Sequence, residues 1–543
     1  MLLKISNFSG IAPQADPHLL AANQAQVAVN CRFMGGVLNS FKALRSVTSD
    51  PIPGRSKSIY RFGQAEPDEA KFWFTFSTDT DVAKSQVVGD TLERTYLTDG
   101  VKPKKTNYPL AVGGSGAAYP HNSYQTAIPQ PTSTPVVSIH TGTGSGTAET
   151  LYYVYTYVTS WSEESIPSSV SLPIDVKEGQ VVRVTGLTPP PTGNYDIQFI
   201  RIYRTASGAT ATDYQFVAEV PVSTNIYDDS VTQTNLGEVC PSIDFDAPLS
   251  TLKGLINLPN GMQAAFDGND VYFSEPYLPF TFPSKYSLAL DFPVVSLGVY
   301  GTNLIAVTKG NPYVITGISP DAMSSQKMDV QQACVAKRSM VSMGFGVMYA
   351  SPDGLVLVNE TATVVTSANY SKREWTLVNP STITACQYEG RYYAFFSGGG
   401  GLIVDVSDGT PIITNHNLTV TAAFNDLQRD TLYLAGDGNI SAWDSHTTNY
   451  LAYQWKSKIF ELPKPINFAW AQVLVTDTKP VTLNVYTKST SGSALQYTKV
   501  ITDDKPFRLP SGFKSKFWEL ELVGTGAVRG VLMAETIEEL RQV

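Results

Sequence analysis

Residues 151–169 read LYYVYTYVTSWSEESIPSS, and this stretch decides the fold class of the chain. Tyr153, Tyr155 and Tyr157 fall on one face of an extended segment, and Tyr152 falls on the other with the valines and the threonine. Aromatic and β-branched residues in alternation indicate a strand of an antiparallel sheet. The pattern returns at GQVVRVTGL and FIRIYRT, which are separated by the turn-forming sequence LTPPPTGN. We therefore expect three strands joined by tight turns.

Three strands at this spacing predict a small β-sandwich of the fibronectin type III kind over residues 148–246. No nucleophile, metal cluster or phosphate-binding loop accompanies them in the sequence. Residues 111–147 are rich in Gly, Ser, Pro and Thr, a composition that predicts a linker or a long surface loop. The sandwich is therefore expected to be an insertion that projects from a larger body, with tyrosine-rich strands that pack its core and touch a neighbouring subunit.

The composition of the whole chain agrees with an all-β fold. A chain of 543 residues is long enough for about three to four domains. Hydrophobic residues make up 42% of it, and Gly (41) and Pro (34) are abundant, which favours many short strands and turns. Only 16% of the residues are charged, while 28 are tyrosines. A tyrosine-rich surface of low charge suggests that partner subunits cover much of it.

Charge and cysteine usage argue against several classes of protein. The net charge is −9 without a basic tail, which argues against tight nucleic-acid binding, because such binding uses basic side chains to displace counterions. The four cysteines lie far apart, and we interpret them as buried free thiols made in a reducing cytosol: Cys31, Cys240, Cys334 and Cys386. The first residues lack the apolar run of a signal peptide, and no segment approaches the ~20 apolar residues of a membrane span.

The central region, residues 247–450, has a different sequence pattern. Short apolar runs recur there, separated by the hairpin signals DGND, SPDG, EGR, SDGT and GDGN. Asp-Gly and Gly-Asn pairs supply the positive φ angles that tight hairpin turns require. Many hairpins at near-regular spacing without intervening helices predict a β-propeller, and a two-sheet sandwich is the alternative.

The two ends of the chain complete the predicted organisation. Residues 1–110 are expected to form an N-terminal segment and strands that contribute to the propeller, with a short helix around residues 19–29. Residues 56–61, 72–77 and 91–97 are predicted to be three strands of one sheet. Residues 451–543 are expected to form a second, C-terminal β-sandwich that ends in a short helix or a tail.

Motifs for catalysis or cofactor binding are incomplete. GGSGAAYP and GTGSGT are glycine-rich, but neither is followed by the Lys and Ser/Thr of a phosphate-binding loop. The five histidines lie singly, and the Asp-Gly-Asn fragments lack the closing glutamate of a calcium loop. The SPDG turn is followed by Leu-Val rather than the Thr-Trp of sialidases, and there is no G-x-S-x-G. We therefore predict no catalytic residue, no cofactor and no metal site.

Two aromatic and proline-rich segments remain, residues 273–283 (FSEPYLPFTFP) and 459–470 (IFELPKPINFAW). Loops fixed by proline and dense in aromatic residues suit either subunit contacts or packing beneath a propeller blade. The candidate subunit-contact residues are Phe273, Pro276, Tyr277, Phe280, Phe282, Tyr153, Tyr155 and Tyr157.

A series of short motifs carries a resemblance to a known family. In chain order they are FSGIAP (8–13), AVNCR (28–32), GGVL (35–38), YTYVT (155–159), EESIPS (163–168), RIYRT (201–205), LPNGM (258–262), FSEPY (273–277), CVAKRS (334–339) and YASPDGL (349–355). In these motifs and their order the chain resembles the tail nozzle proteins of short-tailed bacteriophages, the tail tubular protein B-like family. The resemblance covers roughly residues 1–450, and the C-terminal sandwich carries no such motif.

The resemblance implies a structural virion protein. Six copies would form a ring at the distal end of the tail, below the tail adaptor (head-to-tail connector), and tail fibres or spikes could attach there. The ring would be assembled in the host cytoplasm, would act as conduit and gate for DNA ejection, and would contact phage DNA only transiently. Alternatives are a carbohydrate-binding or glycan-cleaving receptor-recognition propeller and a secreted bacterial adhesin, although no signal peptide supports the latter.

Overall fold

The computed structural model describes residues 1–207, 212–407, 409–489 and 492–541. The chain is nearly all-β, and its described strands form many small, open, mostly antiparallel sheets. It divides into two compact units, one of residues 1–78, 295–314 and 326–543, and the other of residues 79–294 and 315–325. None of the described helices is long and apolar enough to cross a membrane.

The N-terminal strands lie in the first unit. They are β1 (Leu2–Ser6), β2 (Ala25–Val29), β3 (Cys31–Met34), β4 (Val37–Ser40), β5 (Arg45–Ser49), β6 (Ser58–Arg61) and β7 (Trp73–Phe76). The helix predicted around residues 19–29 is wrong, because turns precede a strand there. The Ala and Gln of β2 suit a helix, but the segment forms backbone pairs with strands near residues 415 and 456 instead.

Strands of the second unit follow. They are β8 (Asp81–Lys84), β9 (Thr95–Thr98), β10 (Lys104–Thr106), β11 (Tyr124–Gln125), β12 (Val136–Thr141), β13 (Ser145–Leu151), β14 (Tyr153–Thr159), β15 (Ile174–Glu178), β16 (Val181–Thr185), β17 (Ile197–Ser207), β18 (Thr212–Pro221), β19 (Ile226–Asp229), β20 (Lys253–Asn257), β21 (Gln263–Asp267), β22 (Asp270–Phe273) and β23 (Leu288–Ala289). Strands β11 and β12 and the first residues of β13 lie within residues 111–147, the predicted linker.

The single sheet predicted from residues 56–61, 72–77 and 91–97 is wrong. Strands β6 and β7 pair with each other, whereas β9 lies in a separate sheet of order β11-β10-β9-β8. The reason is β8, a short and largely polar strand of sequence DVAK that the hydrophobic pattern does not reveal. It pairs directly with β9 and so makes β9 part of a different meander.

The tyrosine-rich segment forms the strand that its pattern predicts. Strand β14 is buried along its whole length and pairs with β17, so that Tyr155 lies opposite Ile202. Its tyrosine face packs against Val182 and Val184 of β16, which belongs to the sheet β12-β16-β19. One hydrophobic cluster therefore joins these two sheets.

A run of strands continues to residue 442. They are β24 (Val294–Tyr300), β25 (Asn303–Thr308), β26 (Tyr313–Thr316), β27 (Ser324–Lys327), β28 (Val341–Ser342), β29 (Val347–Ser351), β30 (Gly354–Val358), β31 (Ala362–Val364), β32 (Thr384–Tyr388), β33 (Arg391–Phe395), β34 (Gly401–Asp405), β35 (Ile412–His416), β36 (Ala422–Asp426), β37 (Thr431–Gly436) and β38 (Asn439–Ala442). Successive groups of four, beginning at β20, pair in sequence order, and β5 completes the last group beside β38.

Turn chemistry explains these hairpins. In the GDGN turn between β37 and β38, Asp437 and Gly438 have φ angles of 50° and 79°, and the EGR turn has Glu389 and Gly390 at 49° and 73°. Two consecutive positive φ angles are what a tight hairpin turn of two residues requires. Part of the SDGT turn, residue 408, lies outside the described residues.

The last strands are β39 (Tyr453–Ser457), β40 (Phe460–Ile466), β41 (Trp470–Val475), β42 (Val481–Ser489), β43 (Gly492–Ile501), β44 (Phe507–Arg508), β45 (Ser515–Gly524) and β46 (Val528–Ala534). They do not form sheets among themselves alone. Strands β1 and β4 pair with β46, and β2 pairs with β39. Both ends of the chain therefore share sheets and one large hydrophobic core.

Helices are few and short in the described part of the chain. The α-helices are α1 (Tyr108–Val112), α2 (Lys372–Leu377) and α3 (Ile537–Arg541). Of the two alternatives for the C-terminal end, a short helix or a tail, α3 is the helix. The 3-10 helices are Gln233–Asn235, Pro259–Gly261, Ser284–Tyr286, Pro320–Ala322, Lys337–Ser339, Val365–Ala368 and Pro380–Thr382.

Candidate functional site

The aromatic segment 273–283 follows β22 and folds back on the loop before β21. The Ser274 hydroxyl accepts a hydrogen bond from the Gln263 N–H at 2.9 Å, and the Ser274 N–H donates to the Gln263 carbonyl at 2.9 Å. The Tyr277 N–H donates to the Gly261 carbonyl at 2.8 Å. These bonds hold LPNGM and FSEPY side by side.

Tyr277 is the exposed residue of this segment, with 53% of its surface accessible. Its φ of 62° is uncommon for a residue with a side chain, and it turns the ring onto Gly261. A Cβ at Gly261 would lie 2.6 Å from a ring carbon, so glycine is needed at this close approach. The loop therefore presents an aromatic ring at the surface in a defined position.

Most of the other predicted contact residues lie inside the chain. Phe273, Phe280 and Phe282 are at most 7% exposed, and Pro276 is half-buried. Phe280 shares one hydrophobic cluster with Tyr153, Tyr155 and Tyr157, which are at most 1% exposed. The structure thus joins two candidate segments that are separate in sequence, but as a core. Within this chain, Tyr277 and Pro276 are the candidates that keep exposed surface.

Each of the three core tyrosines has a partner for its hydroxyl group. Tyr153 donates to Asp229 at 2.8 Å, Tyr157 donates to the Thr188 carbonyl at 2.9 Å, and Tyr155 lies 3.1 Å from the Thr188 hydroxyl. Burial, together with the Asp229 carboxylate, raises the pKa of Tyr153, so its hydroxyl stays protonated. These tyrosines therefore hold the core together.

The second unit contains buried charged residues that were not predicted from the sequence. Lys105 of β10 and Glu163 form an ion pair with both side chains at most 5% exposed. Burial raises the pKa of Glu163, and the Lys105 ammonium opposes that rise. The Lys105 ammonium also lies 5.2 Å from the centre of the Trp161 ring. This cluster links the sheet of β10 to the segment after β14 within the second unit.

Glu164 is the centre of a second buried cluster. Its carboxylate accepts hydrogen bonds from Thr156 at 2.7 Å, Tyr203 at 2.8 Å and Arg201 at 3.0 Å. The sequence does carry a signal for this pairing: the apolar strand FIRIYRT contains charged residues, and EESIPS begins with two glutamates. Buried charges need partners of this kind, so the arrangement is structural as it stands.

All four cysteines are buried, in agreement with the sequence-based interpretation. Burial raises the pKa of Cys334 to about 12. A thiol with such a pKa is a poor nucleophile at neutral pH. Within the described residues, no group of three or more His, Cys, Asp and Glu side chains is placed to hold a metal ion.

A polar cleft of about 780 Å³ lies in the first unit. The N-terminal FSGI residues, the β3–β4 hairpin with Gly35 and Gly36, and the residues around β33 to β35 line it. Two of the resemblance motifs, FSGIAP and GGVL, therefore meet at one concave surface. The volume falls within the ~300–1,000 Å³ typical of small-molecule sites.

No protein-family model matches the chain, and no curated protein matches it. Among solved structures, it is similar to the computationally designed Ika8 protein (9% identity; 74% of this chain and 99% of that chain; TM-score 0.28). It is also similar to Saccharomyces cerevisiae Sqt1 (8%; 74% and 98%; 0.27) and to PirA (16%; 16% and 94%; 0.12). TM-scores this low support no argument about fold or function.

Proposed function

We propose that the chain is a structural subunit of a short-tailed phage virion, six copies of which form the nozzle ring at the distal end of the tail. The observation that carries the proposal is the pairing of the resemblance motifs. Three pairs of successive motifs contact each other through hydrogen bonds that involve backbone groups: LPNGM with FSEPY, YTYVT with EESIPS, and CVAKRS with YASPDGL. Motifs that are bonded to each other hold the fold together, and this is the role expected of them in a structural protein.

The pair CVAKRS and YASPDGL shows how this works. The Val335 N–H donates to the Ala350 carbonyl at 3.0 Å, and the Ala350 N–H donates to the Ser339 hydroxyl at 3.0 Å. The Tyr392 hydroxyl of the following sheet donates to the Ser339 carbonyl at 2.6 Å. One motif pair thereby connects the sheet of β28–β31 to the sheet of β32–β35.

The same logic holds for YTYVT and EESIPS. Ser165 and Ser168 accept hydrogen bonds from the N–H groups of Tyr157 and Tyr155 at 2.9 and 3.1 Å, and their own N–H groups donate back to the carbonyls. The extended segment after β14 thus covers the edge of that strand. Covering an edge prevents unwanted strand pairing, which suits a protein that assembles in a defined way.

The finer fold belongs to the same proposal. We propose that the successive four-strand groups of residues 247–450 are blades of a β-propeller, that residues 148–246 are a fibronectin type III-like sandwich, and that residues 451–543 form a second sandwich with N-terminal strands. The tail adaptor is the proposed partner, and fibres or spikes are further candidates. No catalytic step is assigned to the chain.

The acidic net charge fits a DNA conduit. With a net charge of −9, a wall of negative potential would repel phosphate, so DNA would pass without binding tightly. Fluorescence anisotropy would measure the binding of double-stranded DNA by the chain at low salt, and weak binding is expected. Tight, salt-sensitive binding would contradict this part of the proposal.

Mass photometry and electron microscopy of the purified chain, alone and with a tail adaptor protein, test the ring. The expected result is a six-subunit ring that caps the adaptor. A chain that stays monomeric under both conditions would overturn the nozzle proposal. Cleavage of host capsule or lipopolysaccharide by the purified chain would instead favour the glycan-cleaving alternative.

A further inference from the structure

We infer that the polar cleft of the first unit binds a neutral, polyhydroxylated ligand of the saccharide class. The inference rests on the lining of the cleft and does not depend on the proposed ring. The lining comes from residues near Asn7, Asn23 and Asn369, from the β3–β4 hairpin, and from the ends of β33, β34 and β35. The cleft combines a volume of about 780 Å³ with polar side chains from several separate segments.

Asn369 holds one wall of the cleft in place. Its side chain is part of a residue only 5% exposed, and its Nδ2 donates to the Ile11 carbonyl at 2.9 Å. A carbonyl accepts only from the nitrogen, so this bond decides the orientation of the amide. The Asn369 Oδ1 atom is then buried, and it has no hydrogen-bond partner among the described residues. Because this Oδ1 atom exposes almost no surface, Asn369 supports the wall of the cleft through its bond to Ile11 and does not offer the acceptor to a ligand.

The charges of the cleft favour a neutral ligand over an anion. Arg391 is the cation of the lining, and its guanidinium is already paired with Asp405 at 2.9 Å and Glu389 at 3.0 Å. Burial raises the pKa of Asp405, but hydrogen bonds from Ser407 and Arg391 outweigh it and leave the pKa below its usual value. An ionised carboxylate beside a neutralised guanidinium offers little attraction for phosphate and accepts well from hydroxyl groups.

The remaining lining suits a sugar ring. Ser9 and Asn23 add groups that can donate or accept, and no hydrogen bond of their side chains is found within the described residues. Phe33 is half-buried, and Met34 is 54% exposed, so apolar surface lies beside these polar groups. Small-molecule sites commonly combine an apolar wall with a few convergent polar groups.

Close backbone packing shapes the wall of the cleft. The Phe8 N–H donates to the Gly36 carbonyl at 2.8 Å. Gly36 has a φ of 79°, and a Cβ there would lie 2.0 Å from the Asn7 Oδ1 atom. The GGVL motif thus brings the hairpin against the FSGIAP segment and closes this side of the cleft.

Isothermal titration calorimetry and saturation-transfer NMR of the full chain test the inference. The probes are D-glucose, maltose and N-acetylglucosamine, with inorganic phosphate as the anionic probe. Saturable binding of at least one saccharide, and none of phosphate, is expected. Binding of phosphate alone, or of no probe, would overturn the inference.

Two variants locate the site. Thermal melting checks that each of them folds. Thr410→Trp fills the cleft from an exposed position of the lining and leaves the core untouched, and Thr147→Trp, on exposed β13, is its matched control. We expect Thr410→Trp to weaken saccharide binding at least about tenfold while Thr147→Trp has no effect. Equal affinities in both tryptophan variants would overturn the assignment to this cleft.

Discussion

Buried charged residues of this protein depend on their partners. Lys105 and Glu163 are both buried and compensate each other's charge, so removing one partner leaves the other charge buried without compensation. An exposed pair such as Lys516 with Glu461, at 2.6 Å, has similar geometry but remains hydrated. The difference between the two pairs is therefore one of environment.

We predict that Lys105→Ala lowers the free energy of unfolding by about 3–5 kcal/mol, because Glu163 loses its counter-charge in a buried position. Urea unfolding followed by tryptophan fluorescence measures the change. Lys516→Ala is the matched control and is expected to alter stability little. Similar losses in the two variants would contradict the assignment of a buried pair.

His416 gives the chain a predictable dependence on pH. Its Nε2 donates to the Ala394 carbonyl at 2.9 Å, and its Nδ1 accepts from the Leu418 N–H at 3.4 Å, so the neutral ring satisfies both neighbours. Burial lowers its pKa from 6.5 to about 4. Below pH 6.5 His416 becomes protonated in the unfolded chain, whereas in the folded chain it becomes protonated only near pH 4.

Stability is therefore expected to fall by up to about 3 kcal/mol as the pH drops from about 6.5 to about 4, at no more than about 1.4 kcal/mol per pH unit. The contribution is fully present above pH 6.5. Unfolding titrations across this range, compared with His416→Gln, isolate it, because the variant lacks the ionisation. His140→Gln, at an exposed position, serves as control. An unchanged pH slope in His416→Gln would count against this explanation.

At the scale of elements, serines at every third position bind the edge of β14. Ser165, Ser168 and Ser171 are spaced by three, and each hydroxyl accepts from the N–H of a β14 tyrosine while donating to the carbonyl of its own next residue. The serines thereby satisfy the buried edge of β14 with side chains where a neighbouring strand would otherwise be needed.

We expect Ser168→Ala to destabilise the second unit by about 1–3 kcal/mol, because the buried Tyr155 N–H loses its acceptor. The neighbouring Ser169→Ala, at an exposed position, is the matched control. Hydrogen exchange at Tyr155 and chemical unfolding provide the two measurements. If Tyr155 exchanges no faster in Ser168→Ala, the edge is held by other contacts.

Sequence reasoning worked well for elements whose pattern is local. The strands predicted at residues 56–61 and 72–77 contain β6 and β7, and FIRIYRT lies within β17. It failed at residues 19–29, because the pairing of β2 with β35 and β39 outweighs the helix propensity of Ala and Gln. The polar strand β8 escaped because its alternation is too weak to recognise.

The candidate site was predicted less well than the strands. The tyrosine and phenylalanine residues near 153–157 and 280 were chosen for their aromatic density, but density alone does not tell a core from a surface. The structure buries them in one shared cluster and leaves Tyr277 exposed. The cleft was not predicted, because its lining comes from segments near residues 9, 36, 369 and 410.

At the scale of the whole molecule, we expect Tyr277 to contact a neighbouring subunit in the proposed ring. If the ring forms, Tyr277→Ala is expected to lower the fraction of assembled subunits at a given concentration, because an exposed and rigidly held aromatic residue is a typical interface anchor. Mass photometry measures that fraction, and circular dichroism confirms folding. Tyr108→Ala, at another exposed tyrosine, is the control. An unaltered ring fraction would remove Tyr277 from the interface.

The sequence by itself determined the all-β character of the chain, the strand at residues 153–159 and the hairpin turns, because alternation and turn chemistry depend on neighbouring residues. Only the tertiary structure decided that both faces of β14 are buried and that charged residues pair beside it. It also decided that Leu2 lies opposite Ala534, so that the two ends of the chain share a sheet. The physical reason is that pairing between distant segments depends on the apolar surface and hydrogen bonds they bury together, and no local pattern records which segments will meet.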